Sequence, residues 1–533
     1  MKRMWITWVL LIGFCLLLPF SLVLAIETPE FSIDRTTIYF GFLKNSTAKT
    51  GIQTITVSNS GGGTLIWKAS VFEDDLDYDH ESQWLKITNI MGTESDSVGV
   101  WVNPLGLKAG VYDGAVKFVD PNASNSPQMV KVILIVYASQ SDAPPFGFFD
   151  TPVDGSAARS SIPVTGWALD DIGIQEVTIW RDAEDGSREI YIGKAVQVEG
   201  PRPDIEQAYP TYPMSYKGGW GYMLLTNMLP NGGNGTFTLH AYAKDHSGNK
   251  VKLGSKTIIC DNAHAVKPFG AIDTPTQGGE TPKGPYIIYR NQGWVLTPMP
   301  NKIPINGSTI KVYIDGQYIG HCIYNIYRED IATLFPGYAN GEGAMALHDF
   351  DTDAYDTGLH TIQWVVTDTA GNTDGIGSRY FTLQNYGYND PAAAKAAQVN
   401  STGKSIVGKI PLDRSTPIRM KTGYREDSEP GEIIAEKNGM FYISSPQDER
   451  IVLDISQPYI ISYCGYMKVN GRLRSLPPGA SMDTKNGIFY WQPGPASFGT
   501  YHLVFITKNE IGTASKKYVT IEITPKFSRQ ICL

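Results

Sequence analysis

Cysteine is scarce: five residues in a chain of 533. Cys15 falls in the apolar N-terminal stretch, and Cys260, Cys322, Cys464 and Cys532 show no C-x-x-C spacing, which argues against a zinc site. Four thiols allow three pairings; Cys464 with Cys532, both in the last module, is the favoured one. Charge is also sparse, at 18% of residues, with a formal net charge of −8 and no basic block. That excludes nucleic acid and anionic lipid as natural partners. The eight histidines are scattered and none belongs to His-Glu-x-x-His; there is no Gly-x-Ser-x-Gly elbow and no phosphate-binding loop. His240 and His360 lie within strand patterns, where a structural role is expected. No enzyme is expected, although a glycosidase's two carboxylates would leave no linear trace. After residue 25 no apolar run is long enough to span a membrane.

What is there reads as secreted and all-β. Lys2 and Arg3 precede the apolar stretch Trp5 to Leu24, and Val23-Leu24-Ala25 suits cleavage before Ile26, so residues 1–25 are expected to be a signal peptide. The alternative is an uncleaved anchor, since about 20 apolar residues can span a bilayer. The length fits about three to five domains. Glycine (54), proline (33) and aromatics (11%) suit short strands and tight turns.

The chain carries an internal duplication. Pro145 to Pro152 reads Pro-Phe-Gly-Phe-Phe-Asp-Thr-Pro and returns as Pro-Phe-Gly-Ala-Ile-Asp-Thr-Pro at Pro268 to Pro275. Gly166-Trp167 matches Gly293-Trp294, and Arg202-Pro203-Asp204-Ile205 matches Arg328-Glu329-Asp330-Ile331. Asp245-His246-Ser247-Gly248-Asn249 matches Asp368-Thr369-Ala370-Gly371-Asn372. Two blocks, 143–262 and 266–384, thus share one strand framework. Alternation at Leu239, Ala241 and Ala243, and at Ile362, Trp364 and Val366, has the period of half-buried strands. Asp315-Gly316 after Ile310, Val312 and Ile314 predicts a two-residue hairpin turn. These blocks resemble bacterial Ig-like domains of secreted multidomain proteins, a resemblance that covers both copies and is nearly silent about function.

Residues 26–138 also read as a sandwich, from Ile33, Ile38 and Phe40 to the valine-rich strand ending at Val136, with Gly110 to Gly114 expected as a turn. The Asn59-Ser60-Gly61-Gly62 turn, Trp84-Leu85 and Leu107 to Tyr112 resemble a BACON-type domain, which implies carbohydrate or mucin binding as a weak hint. Residues 385–440 are expected to be a linker with one or two strands. Residues 441–526, with Asn486 to Pro493 and Tyr518 to Ile523, resemble the cadherin-like Ig domains of bacterial surface proteins, and 527–533 is a tail. The expected fold class is therefore all-β: tandem Ig-like β-sandwich domains.

Asp245, Asn249, Asp368 and Asn372 are expected to close tight turns. Ca²⁺ at a domain junction is the sharper reading if Asp150 or Asp273 approaches such a turn, but two carboxylates fall short of the about 6–8 oxygens required, and no cofactor is expected. The acidic run Glu73 to Asp79, and Asp349, Asp351 and Asp353, lack the glycine and glutamate of an EF-hand. The Arg202/Asp204 and Arg328/Asp330 sets look architectural. The candidate ligand surface is the crowded stretch with Tyr209, Tyr212, Tyr216, Trp220 and Tyr222, and its counterpart with Phe335 and Tyr338. Such rings stack on sugars or anchor proteins; alternatively the loop covers a sheet edge or a domain interface. The expected function is adhesion to, or recognition of, an extracellular glycan or surface protein by a secreted or cell-surface protein. The alternatives are a structural spacer and a subunit of a carbohydrate-active enzyme.

Overall fold

The computed structural model describes residues 28–45, 51–73, 84–94, 96–138, 142–385, 404–424 and 428–527. The leader, the acidic run beyond Glu73 and Cys532 lie outside them. The protein is all-β, a tandem series of sandwiches.

The N-terminal sandwich has a four-stranded sheet (Phe31–Ile33, Gln53–Asn59, Asp96–Val102, Leu85–Ile87) facing a five-stranded one (Thr37–Leu43, Gln128–Tyr137, Gly110–Val119, Ile66–Glu73, Met91–Thr93). The expected turn at Gly110 to Gly114 is instead the start of the long strand Gly110–Val119, paired along its length with Gln128–Tyr137. In the first repeat the two layers join through Glu189–Gln197, which pairs with Ile174–Asp182 and, by its end, with Gly219–Leu225. The second repeat keeps separate sheets of four and five strands. In each sandwich an early strand runs parallel to the last one: Thr37–Leu43 with Gln128–Tyr137, Ser156–Ala158 with Lys250–Asp261, Gly279–Lys283 with Thr373–Asn385, and Met440–Pro446 with Ala514–Thr524. This shared pairing fixes where each chain enters its sandwich.

Alternation places a fully buried tryptophan in each core: Trp67, Trp220, Trp364 and Trp491. Trp67 packs edge-on against Phe118 and Trp491 against Tyr501, and Trp220 lies tilted against Phe149. The hairpin at Asp315-Gly316 forms, with both residues at positive φ, as a two-residue turn between twisted strands requires. The last sandwich begins earlier than Phe441. Ile418–Thr422 pairs with Ile451–Asp454, and Ile418 is fully buried in its core beside Met420 and Ile433.

The sandwiches do not stand apart. Arg35 of the N-terminal sandwich bonds Glu199 of the first repeat at 3.2 Å, and Arg472 of the C-terminal sandwich donates to Ile33 O. Arg474 pairs with Glu206, and Tyr501 Oη donates to Pro201 O. On the other side Gln363 of the second repeat donates to Asp448 Oδ1 at 2.7 Å. The C-terminal sandwich therefore touches each of the other three. At Gly221, any Cβ would run into the backbone of Pro495 and Ala496, so this contact needs glycine.

Two buried carboxylates stand out, Asp448 at the junction with the second repeat and Asp170 within the first repeat. Asp448 is pushed up to about 6, chiefly by burial, although Lys526 opposes the shift. Asp170, 1% exposed with one oxygen unpaired among the described residues, is pushed up to about 8, chiefly by burial, with Asp171, Asp245 and Asp142 adding repulsion. Both folded values lie above the unfolded one, so the stability they confer is full below about pH 4 and is lost as pH rises through 6 and then 8. Melting temperature should fall from pH 5 to 9, and Asp170→Asn should flatten the upper part of that slope; an unchanged slope would contradict the assignment. Gly221→Val should split a cooperative calorimetric transition in two by lifting the C-terminal sandwich off the first repeat.

Candidate functional site

The crowded aromatic stretch is a loop only from Tyr209 to Met214, where Pro210 and Thr211 are exposed; the rest is regular and packed away. It follows the helix Pro203–Ala208 and continues as a 3₁₀ turn Ser215–Lys217 and the strand Gly219–Leu225. Trp220 is completely buried, and Tyr216 is 5% exposed beneath the Arg35 guanidinium, 4.4 Å from its ring centre. Tyr222 is half-buried against the same core as Trp220. These three do not form a ligand face. Tyr209 and Tyr212 close a four-ring cluster with Phe146 and Trp167, with centroids 5.0–6.0 Å apart. The second repeat builds the same cluster from Phe269, Trp294, Phe335 and Tyr338. The segment glues an interface: one side meets the N-terminal sandwich, the other the C-terminal one.

The repeated Arg–Asp sets are clamps. Arg202 grips Asp204 at 2.7 Å and Asp150 at 2.5 Å, and Arg328 grips Asp330 at 2.8 Å and Asp273. Asp150 and Asp273 are thus spent on arginine and do not approach the Asp-x-x-Gly-Asn turns. Those turns are closed by their own aspartates and held from outside as well: Asp245 Oδ1 accepts from the backbone N–H groups of Ser247, Gly248 and Asn249, and Asp368 Oδ1 from Ala370 and Asn372, while Asp142 accepts from Ser247 and Asn249, and Thr297 and Asn301 donate to Asp368. Asn249 and Asn372 each donate a side-chain bond back to the same aspartate. Asp349 pairs with Arg290, and Asp351 accepts from Asp353 N. Cys260, Cys322 and Cys464 carry free thiols.

A different surface emerges from comparing the repeats in register. In the first, Trp180 pairs across the sheet with Tyr191 and His240; in the second, Tyr313 pairs with Tyr318 and Gln363. The two faces are equivalent, but only the second is covered by the C-terminal sandwich. Arg450 lies 4.9 Å over the Tyr313 ring and donates to Gly316 O at 2.7 Å, while Gln363 meets Asp448 and Tyr424. Gly375 permits this, because a Cβ there would strike Tyr424. The equivalent residue of the first repeat, opposite Tyr242, is Lys252, which forbids the same docking.

The first repeat's face stays open and is furnished differently. Tyr191 is 51% exposed and packs edge-on to Trp180, and Lys250 lies over Trp180 and Tyr242 at 4.8 and 4.5 Å. His240 is buried to 5% exposure at its centre, with Nδ1 2.7 Å from Ser255 Oγ and Nε2 2.8 Å from Asp182 Oδ1. Glu189 accepts from Tyr242 Oη at 2.8 Å and Lys252 Nζ at 2.9 Å; burial would raise its carboxyl, but these bonds hold it below the usual range. The face combines exposed rings with fixed charges of both signs. No linear motif announces it. The signal available in the sequence was the swap of Gln363 and Gly375 for His240 and Lys252 at matching register.

No protein-family model matches the chain, and no curated protein matches it in sequence. Among solved structures, it is similar to the N-terminal eight Ig domains of Down Syndrome Cell Adhesion Molecule, at 10% identity over 94% of this chain, with a TM-score of 0.18. The chain spans about half of that structure's length, 56%. It is also similar to the protocadherin GammaB4 extracellular domain (12% identity, 93% of this chain and 67% of that one, TM-score 0.16). A third is the fibronectin(III)-like modules of Clostridium thermocellum CbhA (12%, 45% of this chain and 95% of that one, TM-score 0.14).

Trp220→Ala should cost about 3–5 kcal/mol in chemical denaturation, the mark of a core residue. Arg202→Ala, which strands buried Asp150, should cost a similar about 3–5 kcal/mol, whereas Arg328→Ala, in a more open clamp, should cost about 1 kcal/mol or less. Equal losses at the two arginines would contradict this reading of the clamps.

Proposed function

We propose that this is an exported, non-enzymatic protein that recognises a glycan or a protein at a cell surface. One observation carries the reading. The face of the second repeat built around Tyr313 is a docking surface within the molecule, and among the described residues no sandwich covers the matching face of the first repeat, built around Trp180, Tyr191 and Tyr242. Rings already held by neighbours lose little entropy on binding, and ordered charges beside them supply direction. The signal-like N-terminus and the absence of catalytic motifs in the sequence support the same reading. Among the described residues no helix is long and apolar enough to cross a membrane.

A spacer without a ligand of its own is the second reading, supported by the C-terminal sandwich's contacts with all three others. The two readings separate in a glycan-array and surface-extract screen of the chain from Ile26, run beside a Trp180→Ala/Tyr191→Ala double variant. Recognition predicts saturable binding that weakens at least tenfold in a variant that melts within a few degrees of wild type. Binding that is equal in both proteins would discard this face, and no binding by either would favour the spacer.

A further inference from the structure

We propose that Asp182, Glu189 and His240 form a binding site for a borderline divalent transition-metal ion, of which Zn²⁺ is the natural probe. The site is independent of the ligand-recognition reading, although it lies on the same face.

The three residues come from three adjacent strands of one sheet. Asp182 and Glu189 stand directly opposite each other at the base of a hairpin, and His240 belongs to the next strand. Sheet pairing fixes all three backbones, so the donors are positioned before any ion arrives. One ligating atom from each residue falls within 4.8 Å of the others. His240 Nε2 lies 2.8 Å from Asp182 Oδ1 and 3.7 Å from Glu189 Oε1. Metal–ligand bonds of about 2.0–2.2 Å place tetrahedral ligand atoms about 3.3 Å apart, so these separations bracket what such an ion needs.

The surroundings suit the task. Ser255 Oγ, 2.7 Å from His240 Nδ1, can accept the Nδ1 proton and hold the ring in the tautomer that leaves Nε2 free to ligate. The imidazole is buried, with 7% of its side chain exposed, while the side chains of Asp182 and Glu189 are 46% and 31% exposed. The ion would thus be anchored from within and keep positions open toward solvent. One imidazole with two carboxylates is the donor set of zinc, manganese, cobalt or nickel; a set without thiolate does not favour Cu(I), and an imidazole does not favour Ca²⁺.

Lys252 is the built-in competitor. Its ammonium sits 2.9 Å from Glu189 Oε1 and 3.4 Å from His240 Nδ1, and Tyr242 shares the same Glu189 oxygen. The lysine side chain is 41% exposed, so it can swing into water when the ion replaces it as the partner of Glu189. This rivalry yields a signature that adventitious surface binding does not share: removing the lysine should strengthen metal binding.

The test is calorimetric titration of the tag-free chain from Ile26 with ZnCl₂, with Co²⁺ absorption as a second readout of coordination. The expected result is one-to-one Zn²⁺ binding, weakened at least 100-fold by His240→Ala and at least tenfold by Asp182→Asn, and tightened several-fold by Lys252→Met. If His240→Ala proves unfolded by circular dichroism, the Asp182→Asn and Lys252→Met pair, on partly exposed side chains, carries the test alone. No one-to-one binding by wild type at millimolar Zn²⁺, or affinity that none of the three substitutions moves, would overturn the proposal.

Discussion

A single buried ion pair ties three sandwiches together. Lys526 Nζ donates to Asp448 Oδ2 at 2.9 Å within the C-terminal sandwich, and to Ser161 O of the first repeat, also at 2.9 Å. The other Asp448 oxygen accepts from Gln363 of the second repeat. A buried pair of this kind adds little net stability, because desolvation offsets the attraction, but breaking it strands a charge and costs about 3–5 kcal/mol. Its value is therefore positional. Hydrophobic contact such as that of Val198, Tyr380 and Ala496 adds attraction at the junction without dictating register; directional bonds to Asp448 and Lys526 select one arrangement. Once that arrangement is set, the second repeat's face lies against the C-terminal sandwich, while Tyr191 on the first repeat's face stays exposed.

The duplication explains how one fold supplies both faces. Each repeat keeps the same internal clamps: the four-ring aromatic cluster, the arginine gripping two aspartates, and the aspartate-closed Asp-x-x-Gly-Asn turn. Because these lie away from the Trp180 and Tyr313 faces, the faces were free to diverge. Two register positions decide the outcome. Gln363 and Gly375 make an uncharged surface that another sandwich approaches; Lys252, paired with Glu189, makes a charged one at the matching position. Electrostatic and steric mismatch of this sort excludes a wrong partner as effectively as new contacts attract a right one.

Much of this architecture was legible in the chain. Alternation at Ile310, Val312 and Ile314 with Asp315-Gly316 specifies strand, turn and facing at once, and the repeated Pro-Phe-Gly, Gly-Trp and Arg-x-Asp-Ile segments mark equivalent parts. The crowded aromatic stretch misled because Gly218-Gly219 and the prolines suggest irregular chain. Yet a period of two runs from Trp220 through Leu224, and the core takes both. Ile418 and Met420 alternate over too short a span to stand out as a strand, so the sequence there has the look of linker. The open face could not be read from the sequence directly, because half-buried strands look alike whether water or another domain covers their outer side. Only pairing register and the position of a third body separate the two.

The most direct measurement is small-angle scattering of the chain from Ile26 beside Lys526→Met. The account predicts a compact wild type, with a radius of gyration of about 24 Å, and a clear expansion when the ammonium that joins Asp448 to Ser161 is removed. A wild type that already scatters as an extended string of sandwiches, or a variant indistinguishable from a compact wild type, would contradict it.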